Sequence, residues 1–184
     1  MEKSNYYYKM NLRKNEVYNL LNDEEMLNII FNYREFINVN NVQLIMDFQK
    51  FNSKYSKIST RVKAKNSIED KITRYTKNSE HGYGRIQINK CLNDLFGIRI
   101  VMEYEVKFEQ ILKHIEENYD NLKCRDASNR GYKAINIYFK QDNFSFPWEL
   151  QIWNKQDEIN NIISHEKYKQ DYVKWEKENK GGNI

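Results

Sequence analysis

At 184 residues, 40% hydrophobic and 30% charged, the sequence has the size and composition of one soluble globular domain with a short extension. The 30 Lys and Arg against 26 Asp and Glu give a net charge of +4, too mild to require nucleic acid but suited to an anionic substrate. Six Gly and one Pro exclude a flexible or Pro-rich linker, and no apolar run approaches the roughly 20 residues of a membrane span.

Cys91 and Cys124 lie outside any metal-type spacing, which points to reduced thiols. The polar stretch from Met1 to Met10 lacks the apolar region of a signal peptide, so the expected location is the cytoplasm.

In chain order, the first third reads as helical. Asn22 followed by Glu25 has the form of a capping box, and Met26, Ile29, Ile30 and Tyr33 recur at helical spacing. A second helix is expected after Asn40-Asn41, with Leu44, Phe48, Phe51 and Tyr55 on one face. Ile58, Thr60 and Val62 then alternate with Ser59, Arg61 and Lys63, which predicts a strand with one basic face. A short helix capped by Ser67 runs to about Tyr75, and residues 77–90 read as a loop. The run from Gly97 to Met102 is a hydrophobic strand, followed by a helix that buries Phe108, Ile111, Leu112 and Ile115. Strands from Tyr132 to Lys140 and from Phe144 to Trp153 form a hairpin around Gln141-Asp142-Asn143, and a charged helix from Gln156 to Glu176 follows. This order predicts an α+β domain with a mixed sheet. Residues 56–180 would form the compact unit and residues 1–55 an N-terminal helical extension packed on it.

Several segments have the residue types of phosphate chemistry. Arg61 and Lys63 share a strand face, and Lys71 and Arg74 follow on the next helix, a cationic set suited to a polyphosphate. The same residues also suit a solvated basic strand followed by a charged helix. Asp94 precedes the strand that carries Gly97 and Arg99, a position for a hard cation such as Mg²⁺ beside phosphates, or for a simple turn cap. Glu149 and Gln151 share one strand face, so Glu149 suits either a proton acceptor near Asp94 or a structural partner of Arg99. Gly131-Tyr132 offers close backbone approach beside a flat ring. His165 stands alone on the last helix, and no His/Cys cluster supports zinc.

Taken together and in order, Arg61-x-Lys63, Ser67, Lys71, Asp94-Leu95-x-Gly97-x-Arg99, Gly131-Tyr132, Glu149-x-Gln151-Ile152, His165 and Tyr168-Lys169 resemble the RelA/SpoT synthetase domain, which includes the small alarmone synthetases. The resemblance runs from about Ser56 to Lys169. It implies a nucleotidyltransferase-like mixed sheet packed by helices. The reaction it implies is transfer of pyrophosphate from ATP to the 3′-hydroxyl of a guanosine nucleotide, with Mg²⁺ as cofactor. On that template Arg61 and Arg99 flank the adenine while Lys63 and Lys71 hold the phosphates. Asp94 and Glu149 bind Mg²⁺, and Glu149 also serves as base. Tyr132 stacks on the acceptor base, with Gln151 supporting that site, and Ser67, His165 and Tyr168 stand behind.

The departures fall on the acceptor side. The family commonly continues Gly-Tyr with Arg, Ser, Ile and His, where this chain has Lys133, Ala134, Ile135 and Asn136. Ser128 stands where a basic residue is usual, with Arg130 nearby as a substitute, and Trp153-Asn154 replaces Arg-Thr. The expected product is (p)ppGpp from GDP or GTP. The alternatives are a toxin-branch relative that modifies the 3′ end of tRNA or an adenosine nucleotide, and a non-catalytic nucleotide-binding module. A toxin would imply a neutralising antitoxin; a homo-oligomer is the other expected partner.

Overall fold

The computed structural model describes residues 10–51 and 56–167. A 3₁₀ turn at Val17–Leu21 buries Val17 and Leu20 and leads into helix α1, Glu24–Gln49. Its cap is Asp23, one residue later than expected: the carboxylate accepts the Met26 N–H at 2.9 Å, and Glu24 and Glu25 complement the positive helix end. The two expected helices are one. Asn40 donates its side-chain amide to the Phe36 carbonyl at 2.7 Å, and Asn41 accepts the Thr60 hydroxyl at 2.8 Å. With both amides engaged outside a turn conformation, the helix runs on through the pair. Phe51 is exposed rather than packed, and Tyr55 lies outside the described residues.

Strand β1 is Ser56–Val62, followed by α2, Lys65–Lys77. Ala64 occupies the N-cap without a side-chain bond, so Ser67 sits inside the first turn instead of capping it. Ile68 and Ile72, four residues apart, bury one face of α2. The expected loop at 77–90 contains a 3₁₀ segment at Ser79–Gly84 and the short α3 at Ile88–Cys91. Gly84, at φ +88°, approaches the Tyr18 backbone so closely that a Cβ there would meet the Tyr18 nitrogen at 3.1 Å.

Strand β2 (Phe96–Met102) and helix α4 (Phe108–Asn118) come next, then β3 (Leu122–Asp126), which the sequence reading did not contain. The faces of α4 are only partly covered, so Ile111, Leu112 and Ile115 are half-buried. Strands β4 (Ile135–Phe139) and β5 (Trp148–Asn154) are shorter than expected. Asp142 binds the Phe144 N–H and the Ser145 hydroxyl, which turns the chain before β5 begins. A 3₁₀ turn at Lys155–Asp157 enters the last helix, α5, described at 158–167.

The five strands form one mixed sheet in the order β1-β2-β5-β4-β3, with β2 and β5 parallel and the other pairs antiparallel. The fold class is α+β, a mixed sheet packed by helices. One face is apolar: Thr60, Ile98, Leu150 and Ile137 form one row, and Ile58, Ile100, Ile152 and Ile135 the next. The bond from Thr60 to Asn41 places α1 against this side. A larger core lies at the end of the sheet, where Leu12, Leu20, Ile30, Ile68, Ile88 and Leu95 meet. Fully burying each such side chain contributes about 1.5–3 kcal/mol. Both cysteines are free, and burial pushes the Cys91 thiol up to about 11. Among the described residues, no helix is long and apolar enough to cross a membrane.

Candidate active site

The opposite sheet face is polar, and strand alternation assembles it. Register aligns Arg61, Gly97, Glu149 and Tyr138 across four strands. The neighbouring row is Ser59, Arg99, Gln151 and Asn136, and beyond it Val101 stands beside Trp153. Gly97 contributes no side chain between Arg61 and Glu149. A Cβ there would meet only the Glu149 and Arg61 carbonyl oxygens, at 3.8 and 3.9 Å, so the row has an open position at its centre.

Asp94, three residues before Gly97, collects the cations. Lys63 Nζ lies 2.7 Å from its Oδ2, Lys71 Nζ 3.1 Å from its Oδ1, and Arg61 Nη2 3.7 Å from its Oδ2. Lys71 reaches it from the middle of α2, not from the helix N-terminus. Burial pushes the Asp94 carboxyl up, but the Lys71 and Lys63 ammoniums more than offset this and hold it well below the usual carboxylate range. Three cations around one carboxylate leave an excess of positive charge on this side of the face.

Glu149 is buried at 6% exposure and held by three donors. Asn136 Nδ2 and the Tyr138 hydroxyl donate to Oε1 at 2.9 and 3.0 Å, and Gln151 Nε2 donates to Oε2 at 2.8 Å. A carboxylate offers roughly four acceptor positions. Among the described residues, the unclaimed one is on Oε2. Gln151 in turn accepts from Arg99 Nε and Nη2 at 3.2 and 3.1 Å, so Arg99 meets Glu149 through an amide rather than directly. Burial raises the Tyr138 hydroxyl to about 12, which keeps it a proton donor to Glu149. Tyr138 also accepts from Arg125 at 2.8 Å.

The remaining expected residues divide. The guanidinium of Arg99 stacks on Trp153, 3.5 Å from the ring centroid, and Tyr132 meets the same indole edge-on. His165 Nε2 lies 2.9 Å from Arg61 Nη1. Asn136 is committed to Glu149 and Tyr138, and among the described residues its buried Oδ1 has no hydrogen-bond partner. Arg130 and Gly131, at φ +47° and +90°, form the tip of a tight turn closed by Asn129 and Tyr132, and Arg130 is exposed there. Ser67 is half-buried in the first turn of α2, and Tyr168 lies outside the described residues. Tyr138 escaped sequence reasoning. Its only signal was alternation with Asn136 on a strand antiparallel to that of Glu149.

Asp94 and Glu149 supply hard oxygen ligands, and Mg²⁺ is commonly held by one or two carboxylates together with substrate phosphates. The chemistry of the donor set suits that ion at the unclaimed position on Glu149 Oε2, whereas Asp94 could ligate it only if a lysine ammonium moved off one of its oxygens. Among the described residues there is no cluster of three His, Cys, Asp or Glu side chains, so protein ligands alone would not complete its shell.

An α+β sheet with one helix-covered face and one face of arginines, amides and carboxylates defines the class of the protein. The profile of a family described as a region found in RelA / SpoT proteins matches residues 60–173. The chain belongs to the RelA/SpoT family. Among solved structures it is similar to the small alarmone synthetase 1 from Bacillus subtilis bound to its product pppGpp. The identity there is 21% over 80% of this chain and 83% of that one, with a TM-score of 0.47. The same synthetase bound to AMPCPP shows 20% identity over 82% of each chain, with a TM-score of 0.44. The small alarmone synthetase 2 from Bacillus subtilis shows 18% identity over 78% of this chain and 79% of that one, also at 0.44. No curated protein matches the chain.

Proposed function

We propose that the chain is an ATP-dependent pyrophosphokinase that makes (p)ppGpp from GDP or GTP in the cytoplasm, with residues 56–180 as the catalytic unit. The observation that carries this reading is the presence of two differently prepared carboxylates, Asp94 among cations that include Arg61 of the polar face and Glu149 among neutral donors on that face. Lys63 and Lys71 bind the ATP phosphates, and Arg61 and Arg99 flank the adenine. Tyr132 receives the acceptor base, with Gln151 and Arg130 on the same side. Asn136 serves the acceptor by holding Glu149, His165 backs Arg61 on the donor side, and Ser67 and Tyr168 are supporting residues behind the site.

The acceptor 3′-oxygen attacks the β-phosphorus of ATP, forming a new O–P bond as the bond from that phosphorus to the α,β-bridging oxygen breaks. AMP departs with the electron pair, and the 3′-hydroxyl proton goes to Glu149 Oε2. Asp94 and Glu149 would hold Mg²⁺, which when bound neutralises charge on the transferred group. The phosphates compete with Asp94 for Lys63 and Lys71.

The test is incubation with γ-labelled ATP, Mg²⁺ and each of GDP, GTP, ATP and deacylated tRNA. Label on GDP or GTP is the expected result. Label confined to tRNA or to an adenosine nucleotide would establish the toxin-branch alternative, and label on nothing would favour a binding module. Gly97→Val gives a second expected outcome. The new side chain fills the open position between Arg61 and Glu149, where the Cβ itself meets only ordinary contacts. Transfer should fall by about 100-fold or more, as misplacing reactants by an ångström does. Thermal melting should stay close to wild type; full activity in Gly97→Val would show that nothing occupies that gap.

A further inference from the structure

Trp153 stands outside every role assigned so far, yet it touches both halves of the face. It lies on β5 two residues beyond Gln151, on the same side as Glu149, and is only 1% exposed. On one side, the Arg99 guanidinium carbon lies over the indole, 3.5 Å from its centroid. Gln151 holds two nitrogens of that guanidinium, so Arg99 has one face and one edge fixed. On the other side, the indole Nε1–H donates to the Tyr132 hydroxyl at 3.2 Å, with the two rings at 87° and their centroids 5.9 Å apart. An indole nitrogen is a donor only, and burial makes an unmet donor costly, so this bond sets where the Tyr132 ring stands. The Tyr132 backbone is held separately. Its N–H and carbonyl bond to Asn129, and the next residue, Lys133, exchanges two backbone bonds with the buried Asn161 amide.

We infer that Trp153 is a positioning residue that ties the donor-side Arg99 to the acceptor-side Tyr132, one ring setting the placement of both nucleotides. The inference rests on the donor and acceptor roles proposed above for those two residues. It gives the departure at this position a physical purpose. An arginine in place of Trp153 offers no flat aromatic surface to Arg99 and no single fixed donor to Tyr132. With one face of Arg99 covered by the indole, a base can stack on this guanidinium only from the opposite side. The Tyr132 ring is set perpendicular to the same indole, so the two platforms are presented at a fixed mutual angle.

Two substitutions separate the contacts. Trp153→Phe keeps an aromatic face beneath Arg99 and removes the N–H that Tyr132 needs. Acceptor KM should rise about three- to tenfold, the cost of one hydrogen bond. ATP KM should stay within about twofold, since the cation still meets a ring. Trp153→Leu removes both contacts, and both KM values should rise. A purely structural tryptophan would move the two substrates together in either variant. Equal rises, or no rise, in Trp153→Phe would therefore overturn the inference, provided melting curves show both variants folded.

A ligand-free measurement keeps it testable if the pyrophosphokinase reading itself fails. The Trp153 indole N–H resonance, identified by its loss in Trp153→Phe, should shift in Tyr132→Phe and also in Arg99→Gln. An indole resonance unmoved by Tyr132→Phe would remove the link whatever the wild-type protein transfers. No label transfer by the wild type, with the resonance shifts intact, would sink the reaction and leave the link standing.

Discussion

Glu149→Gln should lower label transfer by about 10²–10⁴-fold, the range for removing a positioned general base. The effect reaches past the lost base. The new amide keeps an oxygen for Asn136 and Tyr138, but its NH₂ then faces Gln151 Nε2, a donor against a donor. Gln151 can relieve the clash only by turning its amide over, which withdraws the oxygen that Arg99 uses twice. The variant should therefore lose about 1–3 kcal/mol of stability as well, the cost of leaving a buried polar group unsatisfied. Steady-state transfer rates and urea unfolding read the two effects separately. Activity within tenfold of wild type would dismiss Glu149 as the base.

Asp94→Asn should be the most destabilising change on the face, at about 3 kcal/mol, the lower end for breaking a buried charge pair. Its carboxylate is 14% exposed and separates two lysine ammoniums that are nearly as buried. The neutral amide leaves those cations facing each other, and ATP affinity should fall with them. The sign of the pH dependence follows from the depressed acidity of Asp94. Its contribution is complete above the unfolded-state value of about 3.9. It is lost progressively as the pH falls from there toward the lower folded-state value. Urea midpoints measured from pH 7 to pH 3 should therefore keep a constant gap between wild type and Asp94→Asn down to about pH 4 and begin to narrow below it. A gap that does not narrow at all below about pH 4 would show that the Asp94 charge is not what its ion pairs contribute to the fold.

Much of the face was legible because strand alternation is a strong local rule. Arg61 with Lys63, Gly97 with Arg99, and Glu149 with Gln151 each follow from a period of two within one segment. What joins those segments is not local. The parallel pairing of β2 with β5 sets Gly97 beside Glu149, and it depends on a crossover through α4, β3 and β4. Strand β3 carries Lys123 and Arg125 and lies at the sheet edge, where little burial pattern develops. Tyr138 became a partner of Glu149 only through the β4–β5 register. The Asn40-Asn41 pair misled for the opposite reason. A local turn preference was overridden by a tertiary bond to Thr60. Asp94 was read as a cation ligand, and the geometry adds that lysines already occupy both of its oxygens.

Helix α5 works as a crossbar. Asn161, fully buried, trades two hydrogen bonds with the backbone of Lys133, and one turn later His165 meets Arg61 at the far side of the sheet. Four residues of helix span about 6 Å. A slip of α5 by a single residue would turn both side chains through roughly 100° at once. The imidazole would leave Arg61 in the same movement that released Lys133. The two ends of the face therefore cannot loosen independently along this helix: the seat of Asn161 is the register mark for both.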